Sequence, residues 1–161
     1  MDLKAFTLVG DAILRRLNTR VWFSVAFIPS QETTQPEIKE FVGLWDTGAS
    51  ASVISHEVVQ QLGLIPVSQQ RVLHAQGEGL ANVYMVNIFL PNQIMIPNVR
   101  VTEGRINLIG MDIIGLGDFA LSNRDGKTLF SFQIPSTHYY DFVKQIKQTT
   151  PKKKKGRGAN H

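Results

Sequence analysis

The chain has 161 residues, 43% of them hydrophobic and 19% charged, which is the profile of one soluble globular domain and excludes a disordered chain. Its formal charge of +4 is concentrated at one end, because Lys152, Lys153, Lys154, Lys155 and Arg157 fall in the last eleven residues, which hold no acid. Without these five, 12 basic residues face 13 acidic ones, so a nucleic-acid-binding face on the body is disfavoured and weak polyanion contact falls to the tail.

Residues 5–17, AFTLVGDAILRRL, fit a hairpin and a short helix equally well. Val21–Ile28 is rich in β-branched and aromatic residues and stops at Pro29, which predicts a strand. Residues 29–40 are polar, contain two prolines and form a surface loop. Phe41–Trp45 is a second strand that runs straight into Asp46-Thr47-Gly48-Ala49-Ser50. His56–Leu62 is a short helix with Ser55 as its cap and Gly63 as its stop. Val72–Gln76 and Val83–Leu90 flank Gly77 and Gly79 as a long hairpin, and Ile94–Ile96 and Val99–Thr102 are short strands. Leu108–Ile114 opens a short helix broken at Gly115 and Gly117. Phe119–Leu121 and Thr128–Ile134 flank Asn123-Arg124-Asp125-Gly126, a strong hairpin turn. The expected organisation is one domain over 1–135 (residues 1–19 being the least defined), a helix over 136–149 opened by Ser136, and a disordered polybasic tail over 150–161. No run spans a bilayer and no signal peptide is apparent, so a cytoplasmic location is expected. The chain has no cysteine, which excludes disulfides, thiolate metal sites and cysteine nucleophiles.

One segment carries chemistry: Leu44-Trp45-Asp46-Thr47-Gly48-Ala49-Ser50. An apolar strand delivers a carboxylate to a tight turn, Thr47 can hydrogen-bond across the site, and Gly48 lets backbone approach a substrate closely. A plain β-turn uses the same residue types, but the apolar lead-in and the following Ser52-Val53-Ile54 narrow that choice.

LWDTGASASVI, the glycine-tipped hairpin HAQGEGLANVYMVNIFL, and NLIGMDII about sixty residues after the aspartate together resemble a retropepsin-type aspartic protease. The resemblance covers roughly residues 20–135. It implies a mostly β fold, a closed antiparallel barrel with one or two short helices. It implies that Asp46 is catalytic, with Thr47, Gly48 and Ala49 supporting its loop, and that Leu108, Ile109 and Gly110 pack beside that loop. It also implies that the 72–90 hairpin is a flap closing over a polypeptide substrate, with Gly77, Glu78, Gly79 and Leu80 at its tip.

Aspartic proteolysis needs two carboxylates sharing a proton, one acting as base toward water and the other as acid toward the carbonyl oxygen. The chain holds one such loop: Asp118 precedes Phe119, and Asp125 precedes Gly126-Lys127, so neither repeats it. The second carboxylate is then Asp46 of another copy across a two-fold axis, and an enzyme is expected to be a homodimer. Retroviral enzymes pair an acid after the Asp-Thr-Gly-Ala tetrad with a base after the later Gly. Here those positions are Ser50 and Met111, so that ion pair is absent and salt-insensitive dimerisation is expected. The Phe119–Ile134 hairpin, with the N-terminus, is the expected interface. Ala49 offers no hydroxyl to the dyad, which points to a mildly acidic optimum.

Other residues have plainer roles. Glu78 would repel phosphate, so Gly77-Glu78-Gly79 is no phosphate loop. His56, His74, His138 and His161 lack metal-ligand spacing, so neither metal nor cofactor is expected. Trp22 and Trp45 are expected in the core, Asp112 in a supporting role, and Tyr139, Tyr140, Phe142, Val143 and Ile146 on a helix face packed against the body. Two other functions stay open: a catalytically silent retropepsin-like module that dimerises or binds peptides, and an adaptor acting through the KKKKGRG segment.

Overall fold

The computed structural model describes residues 2–26, 36–74 and 77–149. Most of the polar loop expected at 29–40, and the whole 150–161 tail, lie outside the described residues. The elements run β1 (Lys4–Val9), β2 (Asn18–Val25), β3 (Lys39–Trp45), β4 (Val53–Ser55), α1 (His56–Leu62), β5 (Ser68–His74), β6 (Gly77–Leu90), β7 (Ile94–Gly104), β8 (Leu108–Ile109), α2 (Met111–Ile114), β9 (Asp118–Arg124), β10 (Lys127–Ile134) and α3 (Phe142–Thr149). Local chemistry sets several boundaries. The Ser55 hydroxyl accepts from the Val58 N–H to cap α1, and Gly63 ends it at φ +59°, a left-handed conformation that glycine adopts without a steric penalty. Asp125 and Gly126 both take positive φ, 52° and 75°, which makes the tight β9–β10 turn.

Six strands close into a barrel. β2 pairs with β3, β3 with β8, β8 with β4, β4 with β7, and β7 with β6; a β2–β6 ladder, Trp22↔Phe89 to Val25↔Val86, completes the ring. Closure removes open edges, which would otherwise template pairing with other chains. Two contacts, β3–β8 and β4–β7, are parallel, and several elements separate the partners of each pair in the chain. Inside lie Val21, Phe23, Ile54, Val83, Val86, Ile88, Ile94 and Ile109, all close to zero exposure. β5 extends β6 outward as the free arm of a hairpin, from Ser68↔Val83 to His74↔Gly77.

A separate sheet, in the order β1–β10–β9, packs on the barrel through aromatic rings. β10 alternates exposed and buried residues, turning Phe130, Phe132 and Ile134 inward. Trp45 meets Phe132 at 4.9 Å and Phe130 at 5.0 Å between ring centroids, and Phe6 and Phe119 flank the cluster. Offset and edge-on rings at such separations attract beyond their buried area.

Several expectations are corrected. Residues 4–9 form a single strand paired with the distant β10, so 5–17 is neither a local hairpin nor a helix, and the two short strands of 94–102 are one strand, β7. The last helix starts at Phe142, where Asp141 Oδ1 accepts from Lys144 N; Ser136 instead gives its hydroxyl to Asp118. Trp22 lies outside the core cluster, half-buried on the barrel flank. Tyr139, Tyr140, Phe142, Val143 and Ile146 are exposed and do not form a packed face. Among the described residues no helix is long and apolar enough to cross a membrane.

Candidate active site

Asp46 is the first residue beyond β3, and its position is set from below. Trp45 is wedged into the aromatic cluster, its indole N–H donating to Thr19 Oγ1 at 2.9 Å, so the strand end cannot slide without breaking that packing. The Asp46 backbone N–H donates to Ile109 O at 3.0 Å, carrying the β3–β8 pairing one step beyond the strand. The loop then turns on itself: Gly48 N donates to Asp46 Oδ1 at 2.8 Å and Ala49 N to Asp46 O at 3.2 Å. A backbone donor thus orients one carboxylate oxygen, and the half-exposed side chain remains open to solvent.

The far side of the loop is clamped by residues after β8. Ser52 N and Ser52 Oγ donate to Asp112 Oδ2 and Oδ1 at 3.0 and 2.8 Å, and Gly110 N donates to Ser52 Oγ at 3.0 Å. Met111 N donates to Ala49 O at 2.8 Å. Gly110 passes so near the loop that a Cβ there would lie 2.7 Å from the Ala51 carbonyl carbon, so this position requires glycine for close approach and not for an unusual φ. Asn107 adds a further tie, donating to Val42 O and accepting from Ser55 N. Leu108, Ile109 and Gly110 therefore do lie beside the Asp46 loop. Ser52 and Asn107 were not assigned a role from the sequence, because a buried polar anchor just before a strand has no pattern of its own.

A cavity of about 530 Å³ opens alongside the loop, lined by Gly48–Ala51, Val53 and Leu108 on one side. Gln70, Arg71 and Val72 of β5 and the 102–106 segment line the other. The hairpin residues Gly77, Glu78, Gly79 and Leu80 do not line it; its β5 arm does. Gly77 has φ +121°, whereas Gly79 sits in regular pairing opposite Val72 without a positive φ. Within the cavity wall, Glu103 accepts from His56, Tyr84 and Asn82. Those hydrogen bonds, the His56 one foremost, hold its carboxyl below the usual carboxylate range.

Asp112, Asp118 and Asp125 are placed differently. Asp112 belongs to the Ser52 clamp. Asp118, at the start of β9, accepts from Ser136 Oγ at 2.6 Å, Thr137 N at 2.9 Å, His138 N at 3.0 Å and Gln133 Nε2 at 3.0 Å. The Ser136 hydroxyl and the Thr137 N–H are the chief causes holding its carboxyl far below the usual range. Asp125 sits in the exposed β9–β10 turn. Among the described residues no group of three His, Asp or Glu side chains is placed to hold a metal ion.

A closed barrel in which β8 threads between the strand before the Asp-Thr-Gly-Ala loop and the strand after it is the retropepsin-like arrangement, and the chain has this fold. Among solved structures it is similar to a retropepsin-like aspartic protease from Rickettsia conorii, at 17% identity and a TM-score of 0.51, over 83% of this chain and 96% of that one. It is also similar to the EIAV protease complexed with the inhibitor HBY-793, at 18% identity and a TM-score of 0.46, over 64% of this chain and 88% of that one. At 17% identity the likeness to the Rickettsia conorii enzyme establishes the fold alone. No family profile and no curated protein matches the chain.

Proposed function

We propose that the chain is an aspartic endopeptidase that works as a homodimer, with residues 1–135 as the catalytic domain. The observation that carries the reading is Asp46 itself: a half-exposed carboxylate beside a cavity, with one oxygen oriented by the Gly48 N–H. Among the described residues every other carboxylate near the loop is engaged elsewhere, so a second catalytic one comes from another copy. An isologous dimer brings identical residues together at its axis. One Asp46 carboxylate then takes a proton from water as the water attacks the peptide carbonyl, while the protonated partner gives its proton to the carbonyl oxygen. Thr47, Gly48 and Ala49 keep the loop in shape, and the hairpin ending in Gly77, Glu78, Gly79 and Leu80 closes over substrate. Among the described residues β5 pairs only with β6, and its other edge suits an extended polypeptide that adds as a strand.

The test is incubation with a mixed peptide library across pH, with and without an aspartic-protease inhibitor, read by mass spectrometry. Wild type should cut internal peptide bonds in an inhibitor-sensitive way. Asp46→Asn should abolish cutting with the fold intact, and mixed mutant and wild-type chains should form heterodimers of low activity. Full activity in a diluted monomer would refute the shared dyad, and an Asp46→Asn protein that still cuts would refute the catalytic assignment.

A further inference from the structure

α3 stands off the barrel with apolar side chains turned to solvent. Phe142 is 69% exposed and Val143 62%, and Tyr139 and Tyr140, on the segment entering the helix, are 102% and 53% exposed. At helical spacing Ile146 falls on the side of Phe142 and Val143, Lys147 borders that side next to Val143, and Lys144 and Gln148 fall across from it. The approach to this helix is firmly held. Asp118 gathers Ser136 Oγ and the backbone N–H groups of Thr137 and His138, and the His138 ring stacks on Tyr140 at 5.8 Å. The barrel thus presents an amphipathic helix on an anchored stem.

The charge distribution says what meets it. Residues 136–161 contain seven lysines and arginines and one acid, Asp141, whereas residues 1–135 contain ten basic and twelve acidic residues. We propose that this end of the protein docks on an anionic lipid surface. Phe142, Val143 and the tyrosine rings enter the interfacial layer, and the positive charge that the sequence concentrates at this end, from Lys144 and Lys147 to the KKKKGRG run, attracts the headgroups. Apolar insertion and a basic cluster are the two signals that together make surface attachment stable, and here they are adjacent in one short segment. A second copy of the chain is a poorer occupant, because pairing two such ends brings like charges together. A nucleic acid would use the cations and could stack on the tyrosines, but it gives aliphatic side chains such as Val143 no favourable environment. The proposal stands whether or not Asp46 is catalytic.

The full chain is mixed with vesicles of phosphatidylcholine alone and of equal parts phosphatidylcholine and phosphatidylserine, and binding is measured by co-sedimentation. Binding is expected to the anionic vesicles, weakening as salt rises. The double variant Phe142→Ser/Val143→Ser should lower the partition coefficient about tenfold or more, since each side chain loses its burial term. Lys152–Lys155 all changed to Gln should lower it further. Both substitutions follow the last barrel strand in the sequence, and an unchanged near-ultraviolet spectrum verifies that the barrel is intact. Three results would overturn the proposal. One is no attachment to anionic vesicles at low salt. Another is attachment that the serine variant leaves unchanged while RNA binds as tightly, which would make the end a charge-only polyanion site. The third is concentration-dependent self-association that the serine variant abolishes, which would make a second copy the occupant.

Discussion

Asp112 offers the sharpest test of how the Asp46 loop is held. Its carboxylate receives the Ser52 N–H and hydroxyl, and Ser52 is 1% exposed. Asp112→Ala leaves both donors without a partner in a site closed on the Ser52 side. Each such orphan costs about 1–3 kcal/mol, and because half-buried Asp112 admits some water in its place, the total falls at about 2–4 kcal/mol. For a protein of this length that lowers Tm by about 6–12 °C. Asp112→Asn keeps one acceptor oxygen but turns an amide toward a donor, and should cost about half as much. Ser52→Ala removes the hydroxyl half of that link, leaving the backbone N–H donor in place, and also the acceptor for Gly110 N, so a double-mutant cycle with Asp112→Asn should show coupling of about 1 kcal/mol or more. Thermal and urea unfolding measure the cost, and kcat/KM on a cleaved peptide measures the effect on the loop. A Tm change below about 2 °C for Asp112→Ala, or strict additivity in the cycle, would refute the clamp.

Gly110→Ala places a Cβ against the Ala51 backbone, where no flexible side chain can yield. It should cost about 1–3 kcal/mol by overpacking and depress kcat/KM more than Tm, which paired kinetic and melting measurements compare. Asp118 gives a pH signature: its carboxyl is held well below its ordinary range in the fold, so its stabilisation is full above that range and is lost as pH falls toward the folded value. The Tm gap between wild type and Asp118→Asn, measured from neutral to strongly acidic pH, should therefore narrow below about pH 4, and a constant gap would contradict the linkage. Gly77→Val forces a β-branched residue to φ +121° at the hairpin end and should slow peptide cleavage far more than it lowers Tm; unchanged cleavage would remove the flap role. Dimerisation should vary little between low and high salt in sedimentation, because Ser50 and Met111 leave apolar burial to dominate; steep loss of dimer with salt would show that other charges hold it.

The local pattern of residues carried much of this molecule. β-branched and aromatic runs marked most of the strands, Ser55 and Gly63 marked both ends of α1, and Asp125-Gly126 marked its turn, because backbone sterics and nearby hydrogen bonds act within a few residues. The Asp46 loop and its neighbour Leu108-Ile109-Gly110 were legible for a related reason: a tight turn at a strand end and a close backbone approach require particular residue types at short spacing. What depended on distant partners was not legible. Whether residues 5–17 would be strand or helix was decided by β10, which offers an edge for β1 and aromatic rings for Phe6. Ser136 was expected to cap a helix, yet its hydroxyl goes to Asp118, eighteen residues earlier in the chain. Ser52, Asp112 and Asn107 became anchors only when folding brought together segments more than fifty residues apart. The exposed face of α3 shows the same limit from the other side. Its amphipathic spacing is written in the sequence, but whether that face meets the barrel or turns outward is settled by the Asp118 stem, which sets the direction in which the chain leaves the barrel.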